Sequence, residues 1–315
     1  MASAAPLPID FHSHHLPPRW TRLTTPGLPA AQAERWQRIN ARLADRGALL
    51  AGVEEGDLAA RVVNIPAALF AHPDEILPID TWRALNDTLA ELVAAQPGQL
   101  YGLASVDAFG GEEAAAEVER AVRTLGLRGV FVDSARGELL LDAPQARPVL
   151  AAAAALGVPV FVHPINPQPL TQQLARFASL GTLFARGTIN AATLVALLEG
   201  GVFEELPGLK VVVTTLAIGG VLLSRGYLGH PPRRDALEVL RRHVHIDTMG
   251  FDPALIRVSV ETLGVTNVLA GSDWPIVSDG PIRARAAAAF AAAGLSAADA
   301  ALVAAGNARR LLGVG

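Results

Sequence analysis

Gly271-Ser272-Asp273-Trp274-Pro275 follows the apolar run Val268-Leu269-Ala270 and stops it with small residues, a carboxylate and a proline. Such a run, bounded by turn residues, predicts a buried strand over 268–273 that delivers Asp273 to the mouth of whatever the strand belongs to. Two other runs end alike. Residues 8–11 lead into His12-Ser13-His14, and residues 158–162 lead into His163-Pro164. Imidazoles and a carboxylate, each where a strand stops, predict a metal site at the C-terminal rim of a barrel.

The chain between these runs alternates. Strands are expected over 60–65, 100–105, 129–132, 209–215 and 244–247. Helices are expected over 80–95, with Asp80 as N-cap, over 112–125, and over 144–156. Residues 171–201 predict two helices, the second ended by Gly200-Gly201. Further helices are expected from 233, 253 and 281, and a helical tail over 296–312. Eight strands alternating with helices is the pattern of a parallel (β/α)8 TIM barrel. In that fold catalytic groups gather at the C-terminal strand ends, which is where His12, His14, His163 and Asp273 fall.

The whole chain, 1–315, reads as one barrel domain with a lid-like insertion at about 16–57. That insertion shows no strand pattern and holds Arg19, Arg22, Arg35, Arg38, Arg42 and Arg46. Guanidinium binds carboxylate in a bidentate fork, so these arginines are candidates for gripping a substrate carboxylate. For any one of them a solvated helix face is the plainer explanation.

Composition narrows the function classes. A net charge of -4 gives no basic footprint for nucleic acid. No cysteine is present, which excludes disulfides, thiolate metal ligands and cysteine nucleophiles, and fits a reducing, cytoplasmic location. The alanine-rich stretches 151–155 and 286–293 break off well short of the roughly 18 residues a membrane span needs. They read as barrel-packing helices, and no membrane partner is expected.

In an extended backbone, positions i and i+2 face the same way, so His12 and His14 can reach one ion. A lone histidine is more often a core or surface residue, but His-x-His at a buried strand end raises the case for a ligand pair. Three imidazoles and a carboxylate suit one divalent ion per chain: zinc, or manganese and similar metals. Strand four offers no lysine for a bridge to a second ion.

The opening Ile9-Asp10-Phe11-His12-Ser13-His14-His15-Leu16-Pro17 closely resembles that of the aminocarboxymuconate-semialdehyde decarboxylase-like branch of the amidohydrolase superfamily. The likeness recurs in order at Asn86-Asp87, Leu125-Gly126-Leu127-Arg128-Gly129-Val130 and Phe161-Val162-His163-Pro164. It continues at Gly200-Gly201-Val202-Phe203-Glu204, Pro207-Gly208-Leu209-Lys210 and the final Gly271 to Pro275 stretch. By that resemblance His12, His14, His163 and Asp273 match the four ligands of one divalent metal, commonly zinc. The resemblance also implies a homodimer and a small-molecule carboxylate substrate.

One position departs from the pattern. The family's strand six usually ends in a histidine that activates metal-bound water, and Thr215 stands there. A threonine hydroxyl cannot serve as a base near neutral pH. Three explanations compete: Asp273 shuttles the proton, another histidine such as His72 or His15 replaces the missing one, or the protein only binds metal and ligand. His245, two residues before Asp247, is a weaker candidate. Decarboxylation of a small aromatic or unsaturated acid leads; metal-dependent hydrolysis of an amide, ester or lactone is the alternative, and a catalytically silent binding protein the third.

Overall fold

The first strand, Ile9–His14, is buried along its whole length and pairs in parallel with the second, Ala60–Asn64. The third is broken: Leu100–Gly102 ladders with the second strand, Ala104–Ser105 with the fourth, and the Leu103 N–H donates to Val63 O at 2.9 Å. Parallel pairing then runs through Val130–Asp133, Val160–His163, Val211–Val213, Val244–Asp247 and Val268–Leu269, the fourth to eighth strands. The ring closes where the Phe11 N–H donates to Ala270 O at 2.8 Å and Ser13 bridges Trp274. The computed structural model describes residues 6–20, 30–72, 75–226, 235–277 and 280–315; Arg22, His230 and the helix start expected at 233 lie outside them.

Side chains alternate across this wall, as the period of a strand requires. Ile9, Phe11, Val62, Leu103, Phe131, Phe161, Val212 and Leu269 fill the interior. Val130, Val132, Val160, Val162, Val211 and Val213 face outward into the core shared with the helices. Phe161 stacks between Phe131 and Phe11, with centroids 5.7 and 6.3 Å away. Its full burial contributes about 1.5–3 kcal/mol, and truncation to alanine would cost about 3–5 kcal/mol once the cavity is counted.

A break in the alternation builds the site. The register of strand one against strand two slips between Asp10 and Ser13, a β-bulge that sets Phe11 and His12 against Val62 alone. Phe11 and His12 therefore both face inward, while Asp10 and Ser13 join the polar network with Arg61 and Ser272.

Several sequence expectations shift in detail. The helix expected over 80–95 is Ile79–Ala94, with Pro78 at the N-cap; Asp80 lies in the first turn and pairs with Arg83 at 3.0 Å. Proline's fixed φ suits a helix start, and the carboxylate still favours the positive end of the helix from inside the turn. Strand eight ladders only over Val268–Leu269, because the chain beyond turns to close the barrel. The stretch after strand one forms helices Ala30–Ala44 and Arg46–Glu54, the second capped by the Asp45 side chain. Their Ile39, Leu43, Leu49 and Leu50 pack with Leu16, Trp82 and Trp274.

The two helices expected over 171–201 form as Leu170–Leu174 and Ala178–Glu199, but the apolar character of the run went unread in the sequence. Leu170–Glu199 is long and apolar enough, by length and composition only, to cross a membrane. Its buried face is nevertheless tied to the barrel: Asn190 Nδ2 donates to Val162 O at 3.1 Å, and the Thr193 hydroxyl donates to Ser134 O. A helix that covers parallel strands needs such an apolar face.

Candidate metal centre and active site

His12, His14 and His163 come together, each buried, with one ligand atom from each within 4.8 Å of the others. Strand one supplies the first two and the end of strand five the third. Asp273 arrives from the turn after strand eight in the left-handed region, φ 55°, a conformation that Asp tolerates better than most residues. Its Oδ1 lies 3.1 Å from His14 Nε2 and 3.6 Å from His12 Nε2.

Neighbours fix which nitrogen each imidazole turns inward. Asp247 Oδ2 lies 2.6 Å from His12 Nδ1 and Asn64 Oδ1 lies 2.6 Å from His14 Nδ1, so both Nδ1 atoms carry the proton and donate. Both Nε2 atoms then present lone pairs, yet they sit 3.2 Å apart. Asp273 Oδ1, another acceptor, has no hydrogen-bond donor, and neither has His163 Nδ1. Buried lone pairs facing one another need a positive partner, and three imidazoles with a carboxylate are a donor set that a divalent ion satisfies. The residues present therefore fit a divalent ion.

The electrostatics agree. Burial opposes charge on His12, but Asp273 and Asp247 beside it still raise its pKa above the ordinary value. Burial pulls His14 below its ordinary value, and burial with the nearby Arg186 charge takes His163 well below. Burial works against ionised Asp273, yet the imidazoles of His12 and His14 hold its carboxyl below the usual range. Neutral His14 and His163 and an ionised Asp273 are the protonation states metal ligation requires, while the two carboxylates that favour positive charge at His12 equally favour a cation beside it.

Thr215 is buried at the position of the missing histidine, but its backbone takes part: the Thr215 N–H donates to Asp247 Oδ1 at 2.9 Å. Met249 N–H donates to the same oxygen at 3.0 Å. Asp247 is thus held while it orients His12. Gly271 lets the chain pass between them, since a Cβ there would stand 3.0 Å from Asp247 Cβ and 3.1 Å from His12 Cβ.

The other candidate histidines lie elsewhere. His72 is exposed on the loop after strand two, its N–H turned to Glu75, and is not brought into the cluster. His15 is buried against the Leu43 backbone on the side of the inserted helices, and burial lowers its pKa to about 4. His245 pairs with Val212 of the interior, so it does face the barrel, but its charged neighbours are Lys210 and Arg310. Of the lid arginines, Arg19 and Arg35 donate to the carbonyls of Ala84 and Ile276. The arginine that reaches the cluster is Arg186, whose Nη2 is 3.2 Å from His163 Nε2.

Asn64, Asp133 and Asp247 are polar residues at the ends of apolar strands two, four and seven, the same signal that singles out Asp273. That signal was available in the sequence. For Arg186, in the middle of a helix, there was none.

The Amidohydrolase family pattern matches residues 9–314. The chain belongs to the amidohydrolase family. The gamma-resorcylate decarboxylase of Rhodococcus jostii (strain RHA1) is 29% identical over 267 residues, 76% of this chain and 80% of its own. The 2-amino-3-carboxymuconate-6-semialdehyde decarboxylase of Dictyostelium discoideum is 24% identical over 303 residues, 85% of this chain and 82% of its own. These relatives set the amidohydrolase on the decarboxylase branch that its opening motif resembles. The crystal structure of a dihydroxybenzoic acid decarboxylase from Polaromonas sp. JS666, with bound manganese and the inhibitor 2-nitroresorcinol, superposes with a TM-score of 0.80 at 25% identity. It covers 98% of this chain and 97% of that one, and its likeness confirms the amidohydrolase barrel.

Proposed function

We propose that this amidohydrolase is a metal-dependent carboxy-lyase that removes carbon dioxide, without oxidation, from a small aromatic or unsaturated carboxylic acid. The observation behind the reading is the convergence of the His12 and His14 Nε2 lone pairs with Asp273 Oδ1. The decarboxylase names of its relatives and the manganese of its structural neighbour point the same way.

His12, His14, His163 and Asp273 would hold one divalent ion, for which zinc and manganese are both suitable. Bound there, the ion supplies Lewis-acid chemistry toward a carboxylate and an adjacent oxygen. Asp247 and Asn64 keep the ring nitrogens of His12 and His14 aimed at that point. Phe131 and Phe161 lie against the imidazoles, with centroids 5.1 Å from His163 and 4.9 Å from His12, and keep the floor apolar and dry.

Asp273 is ionised at rest, so it acts as a relay: it takes a proton from solvent as substrate charge builds beside it and passes it to the ring carbon that bears the carboxylate. The carbon–carbon bond then breaks, its electron pair returns to the ring, and neutral carbon dioxide leaves. One proton is consumed per turnover, drawn from solvent through Asp273. Hydrolysis is less well served, since Thr215 offers no base and its N–H is already engaged by Asp247.

The residues around 16–57 act as a lid in this reading, and a cytoplasmic location suits a chain with no cysteine. A homodimer would cover Phe177, Leu180, Phe184 and Leu223, which are 50%, 71%, 64% and 62% exposed. The test is turnover of hydroxybenzoates by protein loaded with manganese or zinc, followed by carbon dioxide release and proton uptake. Metal-loaded protein that releases no carbon dioxide from any aromatic or muconate-type acid would reject the proposal.

A further inference from the structure

Arg186 projects from helix Ala178–Glu199, four residues before Asn190. Asn190 fastens that helix to the barrel mouth: it donates to Val162 O and accepts from the Thr214 hydroxyl at 2.9 Å. The guanidinium, partly buried, is thereby carried to the end of strand five. Its polar contacts are a ring nitrogen, His163 Nε2 at 3.2 Å, and Asn166 Oδ1 at 3.5 Å. Neither is an anion; Asp273 and Asp133 act on the guanidinium from a distance, but no carboxylate of the described residues is within ion-pair distance. A guanidinium has five N–H donors and does not give up its proton, so this one is poorly satisfied.

Metal binding sharpens the problem. The unpartnered nitrogen of His163 is Nδ1. When a neutral His163 gives Nδ1 to a cation, its proton sits on Nε2, and the Arg186 contact becomes donor against donor. The ion and the guanidinium then share the mouth with Asp273 and Asp133, neither of which pairs with Arg186, and an anion lying between ion and guanidinium relieves the repulsion that is left.

The identity of that anion follows from the reaction. A leaving carboxylate loses its charge as carbon dioxide forms, so a guanidinium clamp on it would stabilise the ground state more than the transition state. Arg186 therefore suits a group that stays charged throughout. We propose that Arg186 binds a second carboxylate of the substrate, one that remains in the product, and so makes this site selective for aromatic or unsaturated dicarboxylates. The inference rests on the decarboxylase reading for its logic but predicts binding on its own account.

The experiment is calorimetric titration of manganese-loaded protein with 2-hydroxybenzoate and with its 3-, 4- and 5-carboxylated forms. Wild-type protein is expected to bind at least one dicarboxylate about tenfold or more tightly than 2-hydroxybenzoate, as a charge-assisted pair implies. Arg186→Gln should abolish that preference while 2-hydroxybenzoate affinity and manganese content hold, and Arg186→Lys should restore part of it. No preference in wild type overturns the proposal, as does an Arg186→Gln protein that weakens both ligand classes equally or loses its metal. Turnover without a dicarboxylate preference would sink this inference alone. A preference that depends on Arg186 without any turnover would sink the decarboxylase reading alone.

Discussion

Asp10 on the first strand accepts hydrogen bonds from both the backbone N–H and the hydroxyl of Ser272, at 2.8 and 2.7 Å, across the seam where the barrel closes. The same carboxylate pairs with Arg61 Nη1 at 2.5 Å and accepts from the Ser13 hydroxyl at 2.8 Å. Arg61 also lies over the Trp274 ring, 4.8 Å from its centroid. Ser272 is thus bound to the strand that bears His12 and His14, and the Trp274 N–H donates to His12 O of the same strand at 3.2 Å.

Asp10→Asn is therefore expected to destabilise the fold strongly, because it leaves Arg61 buried without its counter-charge, a loss of about 3–5 kcal/mol. Asp10→Asn combined with Arg61→Met should recover much of the loss. Urea unfolding of the single and double variants measures both. If the single variant is as stable as wild type, the seam does not depend on this ion pair.

Asp247→Asn and Asn64→Leu each remove the acceptor that fixes an inward-facing nitrogen. Each should weaken metal affinity by about 10–100-fold while the fold persists. Competition for manganese or zinc against a chelator of known strength gives the numbers. Unchanged affinity in both would mean the imidazoles keep their orientation without these partners.

Asp273→Asn is expected to lower turnover by about 10³ or more at matched metal occupancy, since it removes the proposed proton donor. Thr215→Val should cost roughly tenfold or less, about 1.4 kcal/mol, because valine keeps the backbone N–H that Asp247 accepts. A comparison of single-turnover rates decides. Equal losses in the two variants, or a dead His72→Ala beside an active Asp273→Asn, would move the proton path away from Asp273.

His15 and His245 link stability to pH. Burial lowers both to about 4, against an ordinary value of 6.5. The unfolded chain thus binds these protons at higher pH than the folded one, and stability present above 6.5 drains away as pH falls toward 4. The contribution of buried His245 at stake is on the order of 3 kcal/mol. Asp133, raised to about 6 by burial, titrates in the opposite sense. The informative measurement is accordingly the difference in melting temperature between wild type and His245→Leu from pH 7.5 to 4.5. A difference that stays constant over that range would show that His245 does not resist protonation.

The sequence alone determined the barrel class and the candidate metal ligands, because both follow from local rules. Apolar runs of strand length set the wall, and an imidazole or carboxylate that halts such a run must lie at its rim. His12, His14, His163 and Asp273 could be read this way before any packing was known. Asn64 and Asp247 obey the same rule, but their work depends on which imidazole each meets across the sheet. Only tertiary structure decided that. The bulge that turns Phe11 and His12 to the same side exists only in the pairing of two strands. The reach of Arg186 to His163, 23 positions away in sequence, depends on how a helix is fastened to strand ends through Asn190. Spacing within one strand records which way side chains point; contacts between separate elements are set by packing, which has no local period to read.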